Sequence, residues 1–172
     1  MDNEFAPSIV GLMRSGRQAE ARWEAQQFVE RHPDSAQARS ALAHVLMAMG
    51  EYHAADEAAA AATSLAQDEP AFHFLRARTR FALSDYKAAY LETVTAAQRA
   101  DAVSDTYYFK SCALLAAACQ VELGLQDAAK NILEQVDDTC TLRTAGKVLT
   151  KASVTEAASR LVFGRALGPS VR

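Results

Sequence analysis

Three cysteines and four histidines are the side chains with most chemical reach in this 172-residue chain. Nucleophilic catalysis needs a thiol or hydroxyl beside a base and an orienting group, and a zinc site needs its ligands in closely spaced pairs. Cys112 and Cys119 lie seven residues apart in a stretch that reads as one helix. That is a rise of about 10.5 Å, too far for a disulfide or a shared metal. They read as small buried thiols. His32, His44, His53 and His73 stand at no zinc spacing from the cysteines. The chain has no glycine-rich phosphate loop and no H-E-x-x-H. The expectation is a protein that is not an enzyme and uses no cofactor and no metal.

Composition narrows the class further. Half of the chain is hydrophobic but only 8% is aromatic, and seven glycines and four prolines leave little room for long loops. The alanine surplus suits helices packed closely on one another. The longest clear apolar run, Cys112–Cys119, is far short of a membrane span, so no membrane insertion is expected. The start, MDNEFAPSIV, lacks the basic and apolar regions of a signal peptide. With an odd cysteine count and no framework spacing, this suggests a cytoplasmic protein. The net charge is −3, unevenly placed: beyond Cys140 stand six basic residues against Glu156 alone, so the remainder carries −8. Such a tail either meets an anionic partner or folds back on the acidic body, and the second reading is the simpler. The acidic body, and a tail without interleaved aromatics, argue against nucleic acid.

The elements that must position any site are helices. Gln18–Arg31 carries Ala21, Ala25 and Phe28 on one face, and Pro33 stops it. Ala36 to Glu69 reads as a helix, a tight turn at Gly50 and a second helix, with Leu42, Val45, Leu46 and Met49, then Ala55, Ala59 and Ala62, facing inward. Asp68 is the expected N-cap of the next pair, with Pro70 in its first turn. Gly16, Gly50 and Ser84 are 34 residues apart, as are Ala21, Ala55 and Ala89. The period then slips to 40, from Ser84 to Gly124 and from Ala89 to Ala129. The simplest account is a first helix about one and a half turns longer, starting near Thr106. Leu142, Ala145, Val148 and Leu149 then suggest a short helix, and Ser153-Val154-Thr155-Glu156 a capping box for another that Gly164 would end.

A 34-residue period of helical hairpins, with a small residue ending one helix and an alanine early in the next, resembles the tetratricopeptide repeat (TPR) family. The resemblance covers roughly Ser8 to Val136, with small residues Ala43, Ala77 and Ala117 midway along the first helices and bulkier Ile9 in the first repeat. It departs at Ser84, which replaces a turn glycine, and at Gln67 and Asp101, which replace inter-repeat prolines. Alanine-rich hairpins of other solenoid families share part of the pattern. The implied fold is all-α, a TPR-like α-solenoid of antiparallel helix pairs: about four repeats, the fourth with an extended first helix, plus a C-terminal capping helix pair. The chain is then one domain over 1–172, with repeats over 7–137, degenerate capping helices over 138–164 and a loose tail over 165–172. Within the family, Glu69-Pro70-Ala71-Phe72-His73-Phe74 is similar to a stretch in type III secretion chaperones of hydrophobic translocator proteins.

The family's first helices line a concave groove where ligands lie. Carried over, that places Val10, Met13 and Arg14, then Ser40, His44 and Met47, in the groove. Phe74, Arg78 and Phe81 follow, then Leu114, Ala118 and Val121, with Tyr107 at the far end. Met13, Met47, Phe81 and Val121 recur at equivalent places and imply an apolar stripe edged by Arg14, His44 and Arg78. The lysine and asparagine with which some relatives grip acidic C-termini are absent. The implied function is a non-catalytic scaffold or adaptor that binds an apolar peptide or amphipathic helix of another protein. The alternatives are a chaperone of the secretion type, a structural subunit that oligomerises through its convex face, or a groove filled by the chain's own terminus. Trp23, off the internal stripe, would then mark a homodimer surface or pack on Phe5.

Overall fold

The computed structural model describes the backbone of residues 5–144 and 146–166, and the side chains of residues 8–160 other than 107 and 145. Four antiparallel helix pairs follow one another: α1 (Phe5–Arg14) with α2 (Gln18–Arg31), α3 (Ala36–Ala48) with α4 (Tyr52–Leu65), α5 (Pro70–Ala82) with α6 (Tyr86–Ala102), and α7 (Thr106–Glu122) with α8 (Gln126–Leu133). A hairpin of β1 (Thr141–Thr144) and β2 (Lys147–Thr150) and a last helix, α9 (Lys151–Ala166), complete the described chain. Among the described residues no helix is long and apolar enough to cross a membrane.

Each first helix ends in the same way. Gly16, Gly50 and Gly124 have φ of +76°, +78° and +77°, and Ser84 takes the same left-handed place at +62°. The following N–H then reaches back five residues, Arg17 to Leu12, Glu51 to Leu46, Asp85 to Arg80 and Leu125 to Gln120, at 2.8–3.0 Å. A left-handed residue is what lets the chain reverse while capping the last carbonyls. Serine is strained there where glycine is not, so Ser84→Gly is expected to raise stability by about 1 kcal/mol. The check is the urea midpoint; a lower one would mean that the Tyr86–Ser84 hydroxyl contact, at 3.3 Å, outweighs the strain.

Alanines set the distance between helices. Ala21, Ala55, Ala89 and Ala129 are wholly buried, and so are Ala43, Ala77 and Ala117 on the facing first helices. Ala55 packs among Ala43, Leu46, Ala59 and Leu75. Ala55→Leu should therefore cost about 1–3 kcal/mol through overpacking. An unchanged denaturation midpoint would place Ala55 outside this contact.

The extra residues of the fourth period are shared rather than confined to one helix. α6 is three residues longer than α4, α7 four longer than α5, and the loop between them is one residue shorter. The physical reason is the end of α6. Instead of a proline turn, Ser104 adopts φ +57° and Asp105 N–H reaches back to Ala100 at 2.8 Å, so α6 runs on until that cap. Asp105 then caps α7 through Tyr108 N–H at 3.2 Å. The N-cap of α5 is Glu69, one residue beyond Asp68, which is paired with Arg99 at 3.0 Å.

The capping pair is half strand. The segment expected as a short helix forms the hairpin, with Thr141, Leu142, Arg143 and Thr144 paired to Thr150, Leu149, Val148 and Lys147. Burial along β1 alternates, with Leu142 and Thr144 inward, and Gly146 at φ +72° closes the two-residue turn. Three threonines and a valine favour this pleat over a helix. The cap of α9 is correspondingly Thr150, not Ser153: Thr150 N–H donates to Ser153 Oγ at 2.9 Å and Ser153 N–H to Thr150 Oγ1 at 3.0 Å. α9 passes through Gly164 to Ala166. The side chains of Leu161, Val162 and Arg165 and all of residues 167–172, the remainder of the tail expected to be loose over 165–172, lie outside the described residues.

Candidate functional site

Residues of α1, α3 and α5 line adjoining cavities, and the hairpin roofs the α5–α7 side. Leu142 is buried in one core with Phe74, Phe81, Leu114, Ala118 and Val121, together with Val154 and Ala158 of α9. Arg78 Nη2 donates to the Arg143 carbonyl at 2.8 Å, tying α5 to the hairpin. The expected stripe therefore divides. Phe74, Phe81, Leu114, Ala118 and Val121 are interior residues, with Phe81 edge-on to Tyr86 at 5.3 Å and Phe74 edge-on to Tyr108 at 5.7 Å. Val10, Met13, Arg14, Ser40, His44, Met47 and Arg78 remain at an open surface. The side chain of Tyr107 lies outside the described residues. The described part of the basic tail, the hairpin and α9, packs on the body. It seats through Leu142 and a hydrogen bond to a backbone carbonyl, with the Arg143 side chain left exposed.

Three contiguous concavities meet at His44. The first, about 550 Å³, is lined by Ile9, Val10, Met13, Arg14, Gln37, Ser40, Ala41, His44 and Phe72. The second, about 390 Å³, lies between α3, α5 and β1, and the third, about 540 Å³, reaches from Met13 and Met47 to Thr144 and Gly146. In the first cavity sequence reasoning missed Ile9, Gln37, Ala41 and Phe72, and it missed the whole of β1. Gln37 and Ala41 lie within one helical turn of the expected Ser40 and His44 and could have been found by extending the α3 face; β1 could not, because the segment was read as helix.

His44 is open to water at the groove mouth and enclosed by protein on its other sides. Desolvation and then the Arg78 charge lower its pKa to about 4. The sign follows directly. An imidazole that ionises near 6.5 when unfolded, but only near 4 when folded, favours the unfolded chain as pH falls through that window. His44→Gln should accordingly raise the melting temperature relative to the parent in that acid window and leave it unchanged above neutrality, water at the mouth moderating the size. Equal shifts at both pH values would show that the effect is packing, not titration.

On the far side of α5 the two arginines that replace leucines of the preceding repeat are each paired with a carboxylate. Arg80 meets Asp56 through Nε at 2.8 Å and Nη2 at 2.8 Å, and Thr79 Oγ1 donates to the same carboxylate at 3.0 Å. Arg76 meets Glu92 at 2.8 Å, and His73 bridges Glu92 and the Gln67 carbonyl, each at 2.9 Å. Burial pushes the Cys112 and Cys119 thiols up to about 12, which leaves them protonated and unreactive. Among the described residues no group of three or more His, Cys, Asp or Glu side chains could hold a metal ion. Trp23 on α2 is 62% exposed.

The fold is that of TPR-type proteins. PilF of Pseudomonas aeruginosa, a TPR-containing protein, matches with a TM-score of 0.72 at 16% identity, over 96% of this chain and 69% of its own. The APC/C hetero-tetramer Cut9–Hcn1 matches over 95% of this chain and 36% of its own at 15% identity, with a TM-score of 0.46, below the level that marks a shared fold. No family model matches the sequence, and no curated protein matches it.

Proposed function

We propose that this TPR-like solenoid is a non-catalytic protein-interaction module whose open groove half holds an apolar segment of another protein. The observation that carries the reading is the cavity of about 550 Å³ between α1 and α3, walled by Ile9, Val10, Met13, Ala41 and Phe72. Val10 stays 43% exposed beside it, an apolar surface that water covers only at a cost. Arg14 and His44, both open to water at the mouth, supply the few polar groups that orient a ligand. Methionine lets such a wall adapt to its guest. Among the described residues Cys112 and Cys119 are buried, Cys140 is half-buried, and none of the three lies at a spacing that pairs it with a histidine in sequence.

The chaperone version of this reading is favoured by one detail. The Glu69–Phe74 stretch that resembles secretion chaperones contributes Phe72 to the open cavity. Assembly through the convex face has exposed Trp23 on α2 in its favour, with Leu65 on α4 and Leu91 on α6 also exposed.

The test is affinity for a partner recovered by pull-down, measured by calorimetry. Val10→Asp with Met13→Asp should weaken binding by about 2 kcal/mol or more and leave the helical circular dichroism intact, because neither side chain is fully buried. Lys147→Ser with Arg160→Ser, both exposed tail cations, should change affinity little. The opposite pattern would move the function to the tail.

A further inference from the structure

The hairpin does more than roof the groove; it presents a free strand edge to it. Thr144 and Lys147 are partners across the two-residue connection 145–146. In such a hairpin the closing pair exchanges both backbone hydrogen bonds, and bonded and non-bonded pairs alternate from there. Leu142 is thus bonded to Leu149, whereas Thr141 and Arg143 direct their N–H and C=O groups to the outer edge of β1. That edge faces the concave side. The Arg143 carbonyl receives Arg78 from α5, and β1 residues line the second and third of the concavities that meet at His44. Among the described residues the N–H groups of Thr141 and Arg143 meet no acceptor on this edge. A second, independent feature lies beside them. Thr144 is 1% exposed, its Oγ1 has no hydrogen-bond partner, and it lines the 540 Å³ concavity.

A strand edge asks for one kind of guest. An incoming helix has spent its backbone groups internally and can only lean on the edge, whereas an extended chain about 4.8 Å away pairs with it residue by residue. Alternate side chains of that chain then point to opposite faces, which suits a groove with its deep apolar cavity on one side only. The Arg143 carbonyl has a second lone pair, so the Arg78 bond persists when the guest arrives. We propose that the groove takes an extended segment of a partner protein, added antiparallel to β1 on the backbone of Thr141 and Arg143, with alternate apolar side chains lodged against Met13, His44 and Phe72. This rests on the groove reading above and specifies the form of the ligand.

The probe is a set of capped nonapeptides with Leu, Val, Phe or Met at alternate positions and Thr between them, titrated into the full chain by calorimetry. Members should bind below about 1 mM. N-methylating one alternate set of peptide amides should cost at least about tenfold in affinity, and methylating the other set little, because only one set faces β1. In the protein, Arg143→Pro removes an outward N–H without touching the ladder and should likewise cost about tenfold, with Arg143→Ala as the control that keeps binding. If Arg143→Pro disturbs the hairpin, seen in its melting curve, the peptide methylation decides alone. Equal binding by both methylated sets, or tighter binding by a helix-stapled peptide, overturns strand addition; if Met13→Asp still abolishes that binding, the groove reading stands. No binding by any member, or binding indifferent to Met13→Asp, overturns both. A tenfold gain on ending the chain at residue 166 would assign the edge to the chain's own terminus, and a dimer dissolved by peptide would assign it to a second copy; either overturns the partner assignment.

Discussion

Leu142→Asp is expected to unseat the hairpin and cost about 3 kcal/mol or more. Leu142 is 7% exposed and sits in the core that joins α5 and α7 to α9, against Phe74, Phe81 and Leu114. A carboxylate there would be buried without a partner, and a lone two-stranded hairpin is marginal in water. Release of the hairpin is thus the cheapest response. It would uncover Phe81, Ala118 and Val121 along the concave face while the four helix pairs keep their turns. The expected readout is nearly unchanged far-ultraviolet circular dichroism, new binding of an apolar dye, and cleavage between residues 141 and 150 under limited proteolysis. A variant that melts like the parent and resists cleavage would show that the Arg78–Arg143 bond, not Leu142, holds the hairpin down.

Asp56→Ala is expected to be nearly as damaging, at about 3 kcal/mol. The Asp56 carboxylate is 13% exposed and receives two arginine N–H bonds and the Thr79 hydroxyl. Its removal leaves Thr79, which is wholly buried, to fall back on the Arg76 carbonyl at 2.8 Å, and leaves Arg80 with Asp85 alone at 3.2 Å. That second carboxylate puts the cost at the lower end of the range for a broken buried pair. The repeat supplies its own control. Arg80 stands one 34-residue period after Leu46, which packs as a plain apolar residue. Adding Arg80→Leu to Asp56→Ala should recover most of the lost stability, since replacing both partners removes the stranded charge. Additive losses in the double variant, measured in urea, would mean that the site cannot repack as the preceding repeat does.

The four helix pairs were legible because their determinants are local. A left-handed residue at Gly16, Gly50, Ser84 and Gly124, and an alanine wherever two helices touch, recur at a spacing that a single chain displays on its face. Those features act over a few residues, so the period survives even where Arg76 and Arg80 replace leucines. Their partners, Glu92 and Asp56, come from the helices on either side, and only packing chooses between them.

The candidate site was half legible for the same reason. Val10, Met13, Arg14, Ser40, His44 and Met47 lie on helix faces whose direction follows from register alone, and tertiary structure leaves them open. Phe81, Leu114, Ala118 and Val121 obey the same register, but whether they meet solvent depends on a segment more than 20 residues away in the chain. In that segment Leu142, Val148 and Leu149 fit a helical period as well as a strand period, and local propensity does not separate the two. What settles it is the apolar face of α5 and α7, which a flat hairpin with Leu142 and Thr144 turned inward can cover, while its outer edge stays turned to the groove. Sequence alone determined the solenoid and the face it presents; the tertiary fold decided how much of that face remains available, because burial is a property of two surfaces and the sequence shows each of them only one at a time.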